Sequence, residues 1–165
     1  MNGYDAVVDI LKKEGFEWIA CFPANPLIEA AGKAGLKPIV FRQERGGIMA
    51  ADGYARMLAS QGKRGVFCSQ GGPGIENSFG GFAQAWAEGV PVLYLPAGSP
   101  ANVAEVKPNF DPQTNFAHIT KWNSSISKSS EISSQMRRAM AALKNGRPGP
   151  VLLEMRSDAM SGEVD

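Results

Sequence analysis

The residues with the clearest chemical potential lie in the stretch FRQERGGIMAADGYAR, residues 41–56. Glu44 follows a short apolar run and precedes Gly46 and Gly47, and the pattern predicts a helix that begins only after these glycines. On spacing alone, Glu44 is either a first-turn acid, stabilised by the helix dipole by roughly 0.3 kcal/mol, or a carboxylate delivered into a cleft. Each glycine costs about 1 kcal/mol of helix stability against alanine, so a simple helix start gains nothing from them. Glycines are useful there if something large must lie close against the backbone, which favours the second interpretation.

A second unusual segment is GGPGIEN, residues 71–77. It follows a predicted strand, and its ordinary interpretation is a tight turn before a helix. Gly72 and Gly74 have the spacing of the first glycines of a dinucleotide fingerprint. However, Pro73 fills the gap, Asn77 stands at the third glycine position, and the sequence has no GxxxxGK[ST] motif. A generic phosphate cradle is therefore disfavoured.

The sequence offers few metal ligands or nucleophiles. His118 is the single histidine, which disfavours a His-rich metal site and allows a Ser-His-Asp triad only if His118 serves it. Cys21 and Cys68 lie in separate apolar runs without a CxxC pair, so we expect two buried, reduced thiols. No metal-ligating residue is predicted in this chain.

Composition narrows the class of partner. The chain has 165 residues, 44% of them hydrophobic, and its 17 basic and 16 acidic residues leave a net charge of +1. This length suits one domain with a real core. The balanced charge and the few aromatics argue against nucleic acid as a partner, and no apolar run is long enough for a membrane span. The N-terminal residues lack the pattern of a signal peptide, so a cytoplasmic location is expected.

Helix-period and strand-like segments alternate along the chain. Strands are predicted at residues 17–22, 37–41, 64–69, 91–96 and 151–155, with a further short strand in HITKWN, residues 118–123. Helices are predicted over residues 4–15, over 25–35 with Asn25 as N-cap, from the opening stretch to about residue 60, after GGPGIEN, and after a cap at Ser129 or Ser130. The segment after Ala97 is expected to be a long loop of the kind that carries function.

These repeated β-α units predict a doubly wound α/β domain, in which helices cover both faces of a mostly parallel sheet in three α/β/α layers. The domain is expected to span residues 1–157, with residues 158–165 as a frayed tail or the start of a linker. Ligands of such sheets bind beyond the carboxyl ends of the strands. That rule selects four loops, which are FPANP, RQERGG, QGGPGIEN and PAGSPAN.

Together these loops resemble the N-terminal, pyrimidine-binding domain of thiamine diphosphate enzymes of the acetolactate synthase type. RQERGGIMAADGYAR matches the family pattern R-H-E-x-G-A-x-x-M-A-D/E-G-Y-A-R, and GGPGIEN matches S-G-P-G-x-x-N. The series continues in order through EGVPVLYLPAG, ITKWN and GRPGPVLLEM, and covers nearly the whole chain.

The resemblance implies a catalytic role for Glu44. In the family, the matching glutamate hydrogen-bonds the N1′ nitrogen of the cofactor aminopyrimidine and favours the imino tautomer that removes the thiazolium C2 proton. Burial of such a carboxylate would raise its pKa toward the working range. The positions that match the family's cofactor-binding residues are Pro23, Glu44, Gly72, Pro73, Gly74 and Asn77. Gly46 and Gly47 would then keep backbone bulk away from the ring.

The sequence departs from the family in the loops that meet substrate. Ala24 and Asn25 follow Pro23 where the family often has Gly-Gly. The family's Gly-Gln-Val-Pro is shortened to Gly-Ser-Pro at residues 98–100. Phe110 is the counterpart of the Phe in the family's Phe-Gln-Glu, with Asp111 or Gln113 standing in for the glutamine. Ala24, Asn25, Phe110 and Gln113 are therefore the candidate substrate residues.

The resemblance also implies missing parts. The sequence has no G-D-G with a distant Asn, the family's motif for Mg²⁺ and the cofactor diphosphate in a separate domain. The chain is thus expected to supply half of an active site and to need a diphosphate-binding domain for the other half. It would be either a fragment of a longer enzyme or a separate subunit. In the family that domain comes from another subunit, which implies a homo-oligomer.

Three other functions stay open at this stage. The first is another thiamine diphosphate-dependent decarboxylase or lyase, with an acyl-CoA or aryl keto acid substrate. The second is a non-catalytic regulatory domain that keeps the fold. The third is an unrelated nucleotide-binding module, which predicts tight binding of NAD or ATP.

Overall fold

The computed structural model describes residues 1–164. Over that range the chain forms a single sheet of six strands, all parallel, in the order β2-β1-β3-β4-β6-β5. The strands are β1 Trp18–Cys21, β2 Lys37–Val40, β3 Gly65–Ser69, β4 Val92–Gly98, β5 Trp122–Ile126 and β6 Val151–Arg156.

Seven α-helices precede, connect or follow the strands within residues 1–164. They are α1 Gly3–Lys13, α2 Pro26–Lys33, α3 Glu44–Leu58, α4 Pro73–Glu88, α5 Pro112–Phe116, α6 Ile132–Lys144 and α7 Ser157–Ser161. Helices α1, α2, α6 and α7 contribute to the core on one face of the sheet, and α3, α4 and α5 contribute to the core on the other. The doubly wound, three-layer α/β/α prediction is confirmed. None of the described helices is long and apolar enough to cross a membrane.

The predicted element types are correct for the first half of the chain. Asn25 caps α2 as expected, accepting a hydrogen bond from the Leu27 backbone N–H at 3.0 Å, with Pro26 in the first turn. Cys21 and Cys68 are both free and buried, and they lie opposite each other in the register of β1 and β3. The prediction of two buried thiols is confirmed.

The predicted start of α3 is wrong. The helix begins at Glu44, so Gly46 and Gly47 lie inside its first turns. Gly47 permits close packing on the sheet, because a Cβ added there would come within 2.5 Å of Cε2 of Phe67. This close packing compensates for the low helix propensity of glycine, so the helix continues through Gly46 and Gly47 where the sequence predicted a later start.

The second half departs further from the predictions. The short strand predicted in HITKWN, residues 118–123, is shifted toward the C-terminus: β5 spans Trp122–Ile126 and pairs with β6 along its whole length. The predicted cap at Ser129 or Ser130 is also wrong. Both serines lie in a short 3₁₀ turn, Ser129–Glu131, and α6 begins at Ile132 without a side-chain cap.

The chain after β6 is folded through Val164. The expected frayed tail is wrong, because Ser157–Ser161 forms α7, Met160 is fully buried, and Asn2 pairs with Glu163 in an isolated bridge. The Val164 backbone N–H also donates to the Met1 carbonyl at 2.9 Å. The domain boundary at residue 157 stays a prediction, as does any linker that follows.

Candidate functional site

The carboxyl ends of β1, β2 and β3 meet at one edge of the sheet. Because the strands are parallel and adjacent, the loops that follow them must converge there. The Phe41 backbone N–H donates to the Cys21 carbonyl at 2.9 Å, and the Phe22 N–H donates to the Cys68 carbonyl at 3.0 Å. These bonds align the starts of the three loops that carry the predicted cofactor-binding residues.

Glu44 stands at this edge as the first residue of α3, and it is 2% exposed. One carboxylate oxygen, Oε2, accepts a hydrogen bond from Asn77 Nδ2 at 3.2 Å. The other, Oε1, lies over Gly74, where an added Cβ would be 3.2 Å away. Within residues 1–164 no basic side chain forms an ion pair with this carboxylate. A buried carboxylate without a cation is costly unless it is hydrogen-bonded, and the Asn77 carboxamide supplies such a bond to Glu44.

The loop after β3 brings the remaining predicted residues to Glu44. Gly72 precedes α4 with a φ of +55°, a conformation that glycine adopts without strain, and Pro73 occupies the first turn. Gly74 is packed so closely that an added Cβ would lie 2.7 Å from Gln70 Cγ. This turn places Gly74 and Asn77 against the Glu44 carboxylate.

A chain of buried hydroxyl groups supports that turn, and the sequence reasoning missed it. The Tyr94 hydroxyl lies 2.7 Å from Ser69 Oγ and 3.2 Å from Ser78 Oγ. Ser78 donates in turn to the Gly74 carbonyl at 2.7 Å, and Ser69 donates to the Gln70 carbonyl at 3.0 Å. The available signal was a single tyrosine in the apolar run PVLYLP, between serines in the neighbouring elements.

Burial keeps the Tyr94 hydroxyl protonated. The side chain is fully buried, and desolvation raises the pKa of Tyr94 above the ordinary value for tyrosine. The ring stacks between Phe67, at a centroid distance of 5.4 Å, and Phe82, at 4.5 Å. The network therefore consists of uncharged donors and acceptors. It fixes the loop after β3 against the stacked rings of Phe67, Tyr94 and Phe82.

Pro23, Ala24 and Asn25 follow β1 at the same edge. Pro23 and Ala24 are exposed and border an open apolar depression, and the peptide bond between them is cis. Asn25 is buried, and its Nδ2 donates to the carbonyls of Ser69 at 2.8 Å and Leu95 at 3.1 Å. Asn25 thus connects the end of β1 to the ends of β3 and β4, and a role in substrate binding stays a prediction.

Phe110 and Gln113 belong to the segment after β4. Phe110 packs against the core to which α3, α4 and α5 contribute, and Gln113 projects from α5 toward β6. Its Nε2 donates to Glu154 Oε2 at 3.4 Å. Gln113 therefore lies beside β6, whereas Glu44, Gly74 and Asn77 lie together beyond β2 and β3.

Among residues 1–164 no three His, Cys, Asp or Glu side chains are grouped so that they could hold a metal ion. The polar groups around Glu44 are instead a carboxylate, a carboxamide and hydroxyls, a set suited to hydrogen-bonding a neutral or weakly basic ring.

Comparison with known proteins gives a consistent assignment. Residues 1–120 match the family described as the thiamine pyrophosphate enzyme, N-terminal TPP binding domain. The chain is 34% identical over its full length to a probable acetolactate synthase large subunit of Methanocaldococcus jannaschii, of which it covers 28%. It is 32% identical, over 99% of its length, to the acetolactate synthase large subunit of Lactococcus lactis, of which it covers 29%.

A third relative, the acetolactate synthase isozyme 2 large subunit of Escherichia coli, is 30% identical over the full chain. The chain spans less than a third of the length of these relatives. The family match extends over the loops that carry Glu44 and Asn77, and the fold joins these two side chains by a hydrogen bond. This chain therefore belongs to the thiamine pyrophosphate enzyme family, as an N-terminal, thiamine pyrophosphate-binding domain.

Proposed function

We propose that this chain binds the aminopyrimidine of thiamine diphosphate, in an enzyme that decarboxylates or joins 2-keto acids in the manner of acetolactate synthase, and that Glu44 is the acid that activates the ring. The observation that carries the proposal is the state of Glu44, a 2% exposed carboxylate whose side-chain partner within residues 1–164 is Asn77 alone. An aminopyrimidine nitrogen is the kind of partner with which such a carboxylate can share a proton.

The residues around Glu44 would each have a defined task. Asn77 holds Oε2 by its 3.2 Å hydrogen bond, which fixes the plane of the carboxylate and leaves Oε1 for the ring nitrogen. Gly72 and Pro73 set the turn, and Gly74 lets the backbone approach closely because any Cβ there would crowd Gln70 and Glu44. Pro23 would border the ring from the loop after β1.

The bound cofactor would supply the electron sink for carbon–carbon bond cleavage and formation. The protein contributes the Glu44 carboxylate as a hydrogen-bond partner for the ring nitrogen, at a position that is only 2% exposed. This role depends on the depth of Glu44, since water would compete with the ring nitrogen for a solvated carboxylate.

The chain needs a second domain for this function. We propose that a diphosphate-binding domain, with its Mg²⁺, comes from another part of the polypeptide or from a partner subunit in a homo-oligomer. The relatives are more than three times longer than the segment they share with this chain, which leaves room for such a domain. Met49 and Phe79, 41% and 39% exposed on α3 and α4, are apolar positions near the site that a partner would cover. A cytoplasmic location fits the two free cysteines, because thiols stay reduced there.

Glu44→Gln tests the central claim. In the complete enzyme the substitution keeps the shape of the side chain and removes its ability to hold a proton for the ring, so turnover should fall by roughly 100-fold or more. The measurement is steady-state turnover of pyruvate, with circular dichroism to confirm the fold. Glu131→Gln, in the 3₁₀ turn before α6, is the matched control and should keep wild-type turnover. Unchanged turnover in Glu44→Gln would refute the proposal.

A different keto acid decarboxylase is the second candidate. The observation that favours it is Gln113, whose carboxamide binds Glu154 and lies away from the Glu44 cluster, in a loop that departs from the acetolactate synthase pattern. Product analysis of the complete enzyme with pyruvate separates the two, because carboligation gives acetolactate whereas simple decarboxylation gives acetaldehyde. A purely regulatory domain is disfavoured, since it would have no need to keep Glu44 buried and unpaired with a cation.

A further inference from the structure

Glu44 and Asn77 come from different helices, so the bond between them depends on how those helices are held. Glu44 begins α3, and Asn77 lies in the second turn of α4. Their side chains meet through the 3.2 Å hydrogen bond from Asn77 Nδ2 to Glu44 Oε2. This distance is at the upper end of the usual range, so a small displacement of either helix would break the bond. A residue that fixes α3 and α4 relative to each other would therefore fix this pair.

Tyr94, on β4, holds the α4 side of the pair through its hydroxyl group. The hydroxyl lies 2.7 Å from Ser69 Oγ, at the end of β3, and 3.2 Å from Ser78 Oγ. Ser78 directly follows Asn77 in α4. One hydroxyl group thus contacts the residues that flank the segment 70–77 on both sides, which limits how far the two ends of that segment can move apart.

The three hydroxyl groups can form one directed chain of hydrogen bonds. Ser69 can donate to Tyr94, and Tyr94 to Ser78. Ser78 in turn donates to the Gly74 carbonyl at 2.7 Å. The Gln70 carbonyl, 3.0 Å from Ser69 Oγ, is the other acceptor within reach of the Ser69 proton. All three hydroxyl-bearing residues are fully buried, and hydrogen bonds in a chain strengthen one another in such a low-dielectric interior. The chain therefore joins the end of β3 firmly to the first turns of α4.

The ring of Tyr94 holds the α3 side of the pair. It stacks on Phe67, with a centroid distance of 5.4 Å and an angle of 21° between the ring planes, and also on Phe82 of α4. On α3, Gly47 packs so closely against Phe67 that an added Cβ would lie 2.5 Å from its Cε2. Gly47 is one turn beyond Glu44 in the same helix. Tyr94 is therefore connected through Phe67 to the helix that begins with Glu44.

We propose that Tyr94 is a positioning residue for the Glu44–Asn77 pair. Its hydroxyl group fixes the segment that carries Asn77, and its ring fixes the helix that carries Glu44. Tyr94 is fully buried, so it acts through these contacts and not by touching a ligand. Its effect on turnover rests on the proposed function, whereas its effect on the mobility of residues 70–77 does not.

Hydrogen–deuterium exchange tests the positioning without thiamine diphosphate, on the protein with all the polypeptide that its gene encodes. Tyr94→Phe removes the hydroxyl group and keeps the ring. The backbone amides of residues 70–77 should therefore exchange about five-fold faster, while those of α1, on the other face of the sheet, exchange as in wild type. Tyr54→Phe, on α3, makes the same chemical change and should leave both segments unchanged.

Two results of the exchange experiment would overturn the proposal. One is wild-type exchange of residues 70–77 in Tyr94→Phe. The other is a uniform increase over the whole chain, because that would show a general loss of stability. Ser69→Ala removes the same hydroxyl contact from the other side, so it should loosen the same segment and provides the result if Tyr94→Phe does not fold.

A double-mutant cycle tests whether Tyr94 acts through Asn77. In the complete enzyme, Tyr94→Phe should lower kcat for pyruvate by about ten-fold, because a small misplacement of the reacting groups is costly. In an Asn77→Ala background the same substitution should lower kcat by less than about two-fold, since the pair it positions is already broken. Equal factors in both backgrounds would refute the assignment. Unchanged turnover in Glu44→Gln would instead refute the proposed function and would leave the exchange result standing.

Discussion

Gly47 lies inside α3, where an added Cβ would come within 2.5 Å of the Phe67 ring on β3. Gly53 occupies the same helix with nothing within 4 Å of its Cβ position. The two glycines look alike in sequence, and the fold gives them opposite constraints. The family resemblance explained the glycines after Glu44 as room for the cofactor, whereas the structure shows that at least Gly47 makes room for a core phenylalanine.

This contrast gives a paired stability prediction. Gly47→Ala should lower the free energy of unfolding by about 1–3 kcal/mol, because the methyl group is forced into a packed ring. Gly53→Ala should raise it by about 0.5–1 kcal/mol, because alanine is the better helix former and the position is open. Urea denaturation of the two variants measures both effects. Equal destabilisation by both would show that close packing at Phe67 is not the constraint.

Glu154 should make stability depend on pH. Burial raises its pKa above the ordinary value near 4.5, so the folded protein binds this proton more tightly than the unfolded chain does. The favourable contribution is complete below that ordinary value, and the free energy of unfolding falls as the pH rises toward the folded pKa. Glu154→Gln removes the titrating group, so its stability relative to wild type should increase between pH 4 and 7. A constant difference across denaturation series at several pH values would contradict the raised pKa.

The sequence predicted part of the candidate site. Glu44, Gly74 and Asn77 were named from motifs, and the structure does bring them together, although their roles remain proposals. The Tyr94 hydroxyl network was not predicted, because it depends on contacts between residues from different strands and helices. A tyrosine in an apolar run carries no local signature of its partners.

At the scale of elements, α7 is a helix that the sequence pattern did not predict. SDAMS is short and polar enough to suggest a tail, yet Met160 is fully buried and Gly3 packs against its backbone. The stabilising contact comes from α1, at the other end of the chain. Similarly, the serines of β5 have low strand propensity, and pairing with β6 outweighs it. Local sequence cannot report either long-range contact.

Met160 therefore should be a stability determinant. Met160→Ala removes a fully buried side chain and should lower the free energy of unfolding by about 2–4 kcal/mol. Met57→Ala, at a position 80% exposed on α3, makes the same chemical change and should stay within about 0.5 kcal/mol of wild type. Chemical denaturation of both variants gives the comparison. A small effect at Met160 would favour the predicted frayed tail or linker after residue 157.

At the scale of the whole molecule, the chain has two cores and, by the proposed function, one side of a cofactor site. In that proposal its residues hold the pyrimidine ring, and among residues 1–164 no three His, Cys, Asp or Glu side chains are grouped to hold a metal ion. Most of the binding free energy of thiamine diphosphate should therefore depend on the second domain.

The isolated 165-residue chain should bind thiamine diphosphate only weakly and should not turn over pyruvate. Calorimetric titration in the presence of Mg²⁺ measures the affinity, and adding the diphosphate-binding domain in trans should strengthen it. The same titration with NAD or ATP should show no tight binding. A dissociation constant in the micromolar range for thiamine diphosphate and the isolated chain, corresponding to about −8 kcal/mol, would contradict the division of the site between domains.

The carboxamide of Asn25 adds a consequence for the order of folding. Its two donors bind carbonyls of Ser69 and Leu95, which lie 44 and 70 residues further along the chain. The loop after β1 can reach its final conformation only when β3 and β4 have joined the sheet, since its hydrogen-bond partners do not exist before then. We expect the pyrimidine site to be completed late, after the hydrophobic sheet has assembled. Newly made protein would then pass through a compact state that cannot yet take up its cofactor.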